Sequence, residues 1–274
     1  MTAEATTWRA YHSGTWGQVH LRGSKPVGES AGDTTLVLLH ESPLSSRVWE
    51  KMLPFSGAYR QVLAPDTPGY GVSDPPEGPG HEIPDYAEAI LAAMESAGVG
   101  DMVVVGVHTG ASIAIEMAQQ SEQVRGVVLS GVALLTPEQR AEYLANWTPP
   151  IELTSEGDQF DWALARYHRI WGADTPPWML NTAIGDLLSV WDRYFWGYQA
   201  AFRYDPEPAL RLLKQPTLLL DAEGDLLAEY DPLVEAMVAD CRTEIIPGLR
   251  GQLHMRAPEE TARHLEEFTR AIEK

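Results

Sequence analysis

Short apolar runs alternate along the chain with stretches whose apolar positions recur at helical spacing, the pattern of a mainly parallel sheet covered by helices. Thr34 to His40, Gln61 to Pro65, Met102 to Val107, Val124 to Val132, Pro216 to Leu220 and Arg242 to Ile246 read as strands. Tyr86 to Gly98, Thr109 to Gln120, Asp231 to Ala239 and Pro258 to Ile272 read as helices. An opening antiparallel hairpin is expected from Trp8 to His12 and Thr15 to Leu21, turning at Ser13-Gly14.

The alternation stops between Leu134 and Tyr204, where aromatic residues crowd in and strand signals vanish. Six of the nine tryptophans fall there, and Pro149-Pro150 and Pro176-Pro177 divide the segment into short helices. The expected organisation is a core over residues 1–133, a helical cap over 134–208, and the rest of the core over 209–274. Trp162, Trp191, Tyr194 and Trp196 are the candidate pocket residues of the cap, although aromatics at helical spacing more often serve packing.

At 274 residues the chain is long enough to bury a sizeable core. A formal net charge of -19 excludes nucleic acid and anionic membrane as partners and leaves neutral or cationic small molecules open. Cys241 is the single cysteine, so an intrachain disulfide and a Cys-rich metal site are excluded. The first residues lack the basic and apolar regions of a leader, and no apolar run nears the ~18 residues of a membrane span. A soluble, cytoplasmic protein is expected. A homodimer stays open.

Val103-Val104-Val105-Gly106-Val107-His108-Thr109-Gly110-Ala111-Ser112 has the outline of a strand entering a sharp turn and then a helix. Its glycines let the backbone pass close to itself, and a histidine occupies the apex where a nucleophile is expected. Three further landmarks accompany it in order: His40-Glu41-Ser42-Pro43, then the turn from Asp66 through Pro68, Gly69, Gly71 and Ser73 to Asp74, and later Pro216 to Asp225. Together with the elbow they resemble the α/β-hydrolase superfamily over nearly the full length.

The resemblance implies a mostly parallel eight-stranded sheet flanked by helices, with a helical cap. It also implies an oxyanion loop at His40 to Pro43, backbone donors at Ser42 and Thr109, and a triad acid at Asp225, with Asp221 and Glu223 as rivals that more readily cap the turn. The family's catalytic histidine, counted back from Ala257-Pro258-Glu259-Glu260, falls on Gly251, so it is missing here. His254, slightly further on, is the nearest alternative and a further candidate for contact with substrate. His40 is read as structural.

Glu41 stands at the glycine of the oxyanion loop, where a carboxylate opposes a developing oxyanion unless it is protonated or turned away. The histidine gained at the elbow and the one lost from the last loop compensate in volume. The imidazole of His108 is therefore expected to lean into the space above Gly251 and to hydrogen-bond Asp225, which otherwise lacks a partner. Such a pair supplies a base without an activated hydroxyl, with Glu41 as a second acid/base group or simply a side chain facing a helix N-terminus.

Three functions follow. The first is a non-hydrolytic enzyme resembling the cofactor-independent oxygenases of this fold, in which a base activates a large electron-rich aromatic substrate, a polyketide-like secondary metabolite, for reaction with dioxygen; a C–C lyase or cyclase needs the same base. The second is a hydrolase in which His108 activates water directly for attack on an ester, lactone or epoxide; Glu41 opposes it, and the elbow Asp nucleophile of epoxide hydrolases and haloalkane dehalogenases is absent. The third is a small-molecule binding protein that has lost turnover. No cofactor and no metal are implied, since the glycines form neither a Walker A sequence nor a dinucleotide fingerprint, and the histidines lack ligand spacing.

Overall fold

The computed structural model describes residues 5–30 and 32–273. Eight strands form one sheet: β1 (Ala5–Gly14), β2 (Gly17–Pro26), β3 (Thr35–Leu39), β4 (Val62–Pro65), β5 (Met102–Val107), β6 (Val124–Ser130), β7 (Thr217–Ala222) and β8 (Cys241–Ile246). Their order across the sheet is β1-β2-β4-β3-β5-β6-β7-β8. β2 runs antiparallel to β1 and β4, and every other neighbouring pair is parallel.

The hydrophobic pattern has a direct structural meaning. Side chains alternate across a strand, so Leu36 and Leu38 of β3 enter one core while Val37 and Leu39 enter the other. In β5, Val103 and Val105 face the first core, and Met102 and Val104 the second. Both faces are therefore covered, which is why the central strands read as continuous apolar runs.

The opening turn lies at Thr15-Trp16 instead of Ser13-Gly14. Gly17 takes φ +119, which favours glycine, and pairs with Gly14, so Ser13 and Gly14 are drawn into β1. β6 likewise stops at Ser130, ahead of the expected Val132, because Gly131 turns the chain with φ +67.

The helices are α1 (Leu53–Ser56), α2 (Ile83–Ser96), α3 (Thr109–Gln120), α4 (Pro137–Asn146), α5 (Asp158–Trp171), α6 (Pro177–Ser189), α7 (Trp196–Arg203), α8 (Glu207–Leu212), α9 (Asp231–Met237), α10 (Leu253–Arg256) and α11 (Pro258–Ile272). α2 and α3 cover the second core, and α11 covers the first together with much of the segment between β6 and β7. That segment is helical throughout its regular structure, from α4 to α8, and the expected division after residue 208 falls inside α8. α11 is tied down by the fully buried Arg60, which donates to Glu266 and Glu273, each at 2.7 Å. No helix among the described residues is long and apolar enough to cross a membrane.

Candidate active site

β5 ends at Val107 and α3 begins at Thr109, so His108 alone makes the turn, with φ 49 and ψ -110. Holding a non-glycine residue there costs about 1–3 kcal/mol. Its glycines are steric necessities: a methyl on Gly106 would strike the carbonyl of Gly110, and one on Gly110 would strike the carbonyl of Leu39 at the end of β3. The only other non-glycine residue with positive φ among the described residues is Gln252, which also borders the site.

His108 Nε2 lies 3.1 Å from both oxygens of Asp225, a side chain 1% exposed. A carboxylate only accepts, so Nε2 carries the proton and Nδ1 is the free nitrogen in the neutral ring. Nδ1 has no hydrogen-bond partner among the described residues, and about a fifth of the side chain stays accessible. Burial disfavours the imidazolium, but the charge and hydrogen bond of Asp225 outweigh it and raise the pKa above 6.5. Conversely, burial opposes ionisation of Asp225, and His108 overrides it to hold the carboxyl below its ordinary value. The Leu227 amide adds a donor to Asp225 at 2.9 Å.

The ring does not rest above Gly251. A side chain on Gly131, at the end of β6, would collide with Cδ2 of His108, so the ring lies over that glycine. The carboxylate of Asp225 itself fills the space beside Gly251, where a Cβ would come 2.9 Å from Oδ2. Gly131 and Gly251 thus flank one carboxylate, and the imidazole takes the Gly131 side.

Asp221 neither caps nor solvates the turn. It is fully buried, accepts from the Ser130 hydroxyl at 2.9 Å and the Gly131 amide at 2.8 Å, and so ties β7 to the floor beneath His108. Burial, and then the charges of Asp225 and Asp231, raise its pKa. Glu223 does serve the turn, accepting from the Gly248 amide at 2.8 Å.

Glu41 is 5% exposed, and neither carboxyl oxygen has a hydrogen-bond partner. Desolvation pushes its pKa up to about 7, against the opposing pull of His108, the residue whose charge it feels most. His254 is fully buried in the short α10, its ring tilted 38° against that of Trp49 with centroids 4.4 Å apart. Its Nε2 stands 3.7 Å from Glu41, too far for a hydrogen bond, and burial lowers its pKa to about 3. It is therefore a neutral wall of the site facing Glu41, and it does not occupy the place beside Asp225.

His40 is held inside the fold, with Nδ1 3.1 Å from the Glu41 carbonyl and Nε2 accepting from the Thr67 amide at 2.9 Å. The amides of Ser42 and Thr109 donate to no group among the described residues. Helix α7 closes over this loop: a Cβ at Gly197 would collide with the Ser42 hydroxyl and approach that of Tyr70.

The four aromatic candidates separate. Trp162 packs edge-on against Tyr194, with centroids 6.2 Å apart. Tyr194 is fully buried, yet its hydroxyl is spent on the Pro149 carbonyl and its own carbonyl accepts from Tyr70 at 3.2 Å. Trp191 is 40% exposed, and Trp196 lies against Gly69 of the turn that follows β4. Sequence reasoning passed over Arg166, four residues after Trp162 on the same face of α5, and its neighbour Tyr167; that spacing was the available signal.

A family profile described as alpha/beta hydrolase matches residues 36–264. Among curated proteins, a haloalkane dehalogenase of Mesorhizobium japonicum is 27% identical over 116 residues, which are 42% of this chain and 37% of that protein. A haloalkane dehalogenase of Mycolicibacterium smegmatis is 31% identical over 110 residues, 37% of this chain and 34% of that one. The chain thus matches only about a third of the length of these relatives. Among solved structures, the enol-lactonase of Burkholderia xenovorans superposes with TM-score 0.78 at 18% identity, covering 95% of this chain and 99% of the other. An esterase of Thermogutta terrifontis gives TM-score 0.74 at 19% identity, covering 97% and 100%. These likenesses establish the fold, and the profile, spanning most of the sequence, establishes more: this chain belongs to the alpha/beta hydrolase family.

Proposed function

We propose that this chain is a hydrolase that works without a covalent intermediate. His108, oriented by Asp225, takes a proton from water through Nδ1, and the hydroxide attacks an ester or lactone carbonyl. The amides of Ser42 and Thr109 hold the developing oxyanion, joined by Glu41 in its protonated form, which is a donor and not a repelling charge. Collapse of the tetrahedral intermediate returns the proton from the imidazolium to the leaving oxygen. The observation that carries the reading is His108 Nε2 at 3.1 Å from both Asp225 oxygens with Nδ1 left free. Relatives named as hydrolases, among them a lactonase and an esterase, support it.

One feature favours a second reading. The elbow carries no hydroxyl, thiol or carboxylate, so the same base could instead deprotonate an electron-rich aromatic substrate whose anion meets dioxygen, as the resemblance to cofactor-independent oxygenases implies. Isotopic labelling separates the two. Turnover of an aryl ester and lactone panel in ¹⁸O-water is expected to place the label in the acid product with no oxygen uptake, and His108→Ala to slow it by ~10²-fold or more. Oxygen uptake with an electron-rich phenol, without ester cleavage, overturns the hydrolytic reading; an unchanged rate in His108→Ala overturns the base.

A further inference from the structure

A positive charge lies buried in the helical segment without a counter-ion. Arg166 of α5 is 3% exposed, and no carboxylate pairs with it among the described residues. Its Nη1 donates to the Trp147 carbonyl at 3.0 Å, while Nε and Nη2 have no partner. The guanidinium carbon sits 5.5 Å from the Trp147 ring, 5.6 Å from Trp162 and 5.7 Å from Tyr198, an aromatic cage that stabilises the cation and offers its N–H groups only the Tyr198 hydroxyl.

Other buried donors share this imbalance. The Trp147 indole N–H and the Tyr167 hydroxyl also lack partners. Four buried donor groups on α5 and at Trp147 therefore lack a well-formed hydrogen bond, and the nearest acceptor to Arg166 and to the Trp147 indole is the hydroxyl of Tyr198. A buried unsatisfied donor costs about 1–3 kcal/mol, more when charged, so a cluster of them marks a place for an acceptor-rich guest. The cluster also borders the catalytic end of the fold. Tyr198 feels the charges of both Arg166 and Glu41, and Gly197, the residue before it, abuts Ser42 of the oxyanion loop.

We propose that Arg166 binds a carboxylate of the substrate, its Nε–H and Nη2–H forming a forked pair to the two oxygens, with the flat body of the molecule held between the aromatic rings and the reacting carbonyl toward His108. This rests on the hydrolytic reading above and narrows its substrate to an aromatic or conjugated ester or lactone that carries an acid group. Arginine suits the task because its planar fork matches a carboxylate and stays charged when buried.

The test uses binding, so that it can succeed or fail apart from catalysis. Quenching of tryptophan fluorescence in the full chain is followed with 2-naphthoate and with 2-naphthamide, which share shape and differ in charge. Wild type is expected to bind the carboxylate at least tenfold more tightly. Arg166→Met is expected to erase the preference while still binding the amide, and Arg166→Lys to keep part of it. His108→Ala, which removes the base, is expected to keep the preference in full, so loss of turnover there leaves the carboxylate site standing. Equal affinity for the two probes in wild type, binding of neither, or an undiminished preference in Arg166→Met overturns the proposal. The wild-type comparison decides it even if the Met variant does not fold.

Discussion

At the scale of single residues, the site is governed by which groups carry protons. His108 is held above 6.5 by Asp225 against the cost of burial, and Glu41 is pushed up to about 7 by desolvation. Proton abstraction needs His108 neutral and oxyanion support needs Glu41 protonated, so the rate is expected to rise and fall with two apparent ionisations that belong to the coupled groups. Asp225→Asn removes the dominant raising influence and leaves burial opposed only by the weaker pull of Glu41 and Asp221. The ionisation of His108 is then expected to fall, readable as a downward shift in the ring's NMR titration and as movement of the pH–rate profile toward lower pH. An unmoved titration contradicts the pairing. Glu41 carries a second consequence. Its unfolded pKa is near 4.5 and its folded one about 7, so between these values the folded state holds a proton that the unfolded state has lost. Stability therefore erodes as pH rises from 4.5 to 7, and the whole loss persists above. Glu41→Gln is expected to match wild type near pH 4.5 and to exceed it by up to ~3 kcal/mol above pH 7, measured by urea unfolding at both pH values. An equal difference at the two pH values would show a carboxyl in contact with water.

At the scale of elements, the site is the meeting of four strand ends and one short helix. β3 presents Glu41 and Ser42, β5 presents His108, β6 supplies Gly131 under the ring, β7 leads to Asp225, and α10 carries His254. Much of this was legible in sequence. Continuous apolar runs marked strands covered on both faces, and the glycines around His108 marked a close backbone crossing. The resting place of the ring was not legible, because the unusual dihedral angles of the elbow aim it, and volume compensation between His108 and Gly251 carries no direction. Asp221 was misread for a related reason: a carboxylate at a strand end caps a turn unless tertiary structure sends it inward. The hairpin register failed because Gly17, not Gly14, adopts the positive φ. These geometries also fix what a reverse substitution can do. Gly251 has φ +62 and would put a Cβ 2.9 Å from Asp225. Gly251→His therefore strains the backbone and crowds the carboxylate that His108 uses. It is expected to lower both thermal stability and turnover, and not to yield a serine-type esterase, since the elbow has no hydroxyl. A gain of ester cleavage from that single change would mean that the loop rebuilds around the new ring.

At the scale of the whole molecule, a formal charge of -19 surrounds a buried guanidinium that has no carboxylate partner among the described residues. The two act over different ranges. Surface carboxylates repel an anionic substrate through water, where ions of the buffer screen them within about 10 Å at 0.1 M salt. Arg166 acts at contact from a buried position, where charges are screened much less than at the surface, so its attraction for a carboxylate is little weakened by salt. Raising ionic strength should then help a carboxylate reach the site without weakening its hold there, the reverse of ordinary salt-sensitive association between opposite charges. Stopped-flow measurements from 20 to 500 mM NaCl, on the order of the range over which the screening length falls several-fold, are expected to show the association rate of 2-naphthoate climbing while its dissociation rate stays level. The neutral 2-naphthamide should show neither trend, which separates screening from any general effect of salt on the fold. An association rate for the carboxylate that falls with salt would mean that attraction at long range guides it in. That would require a positive path into the site which the acidic surface here opposes.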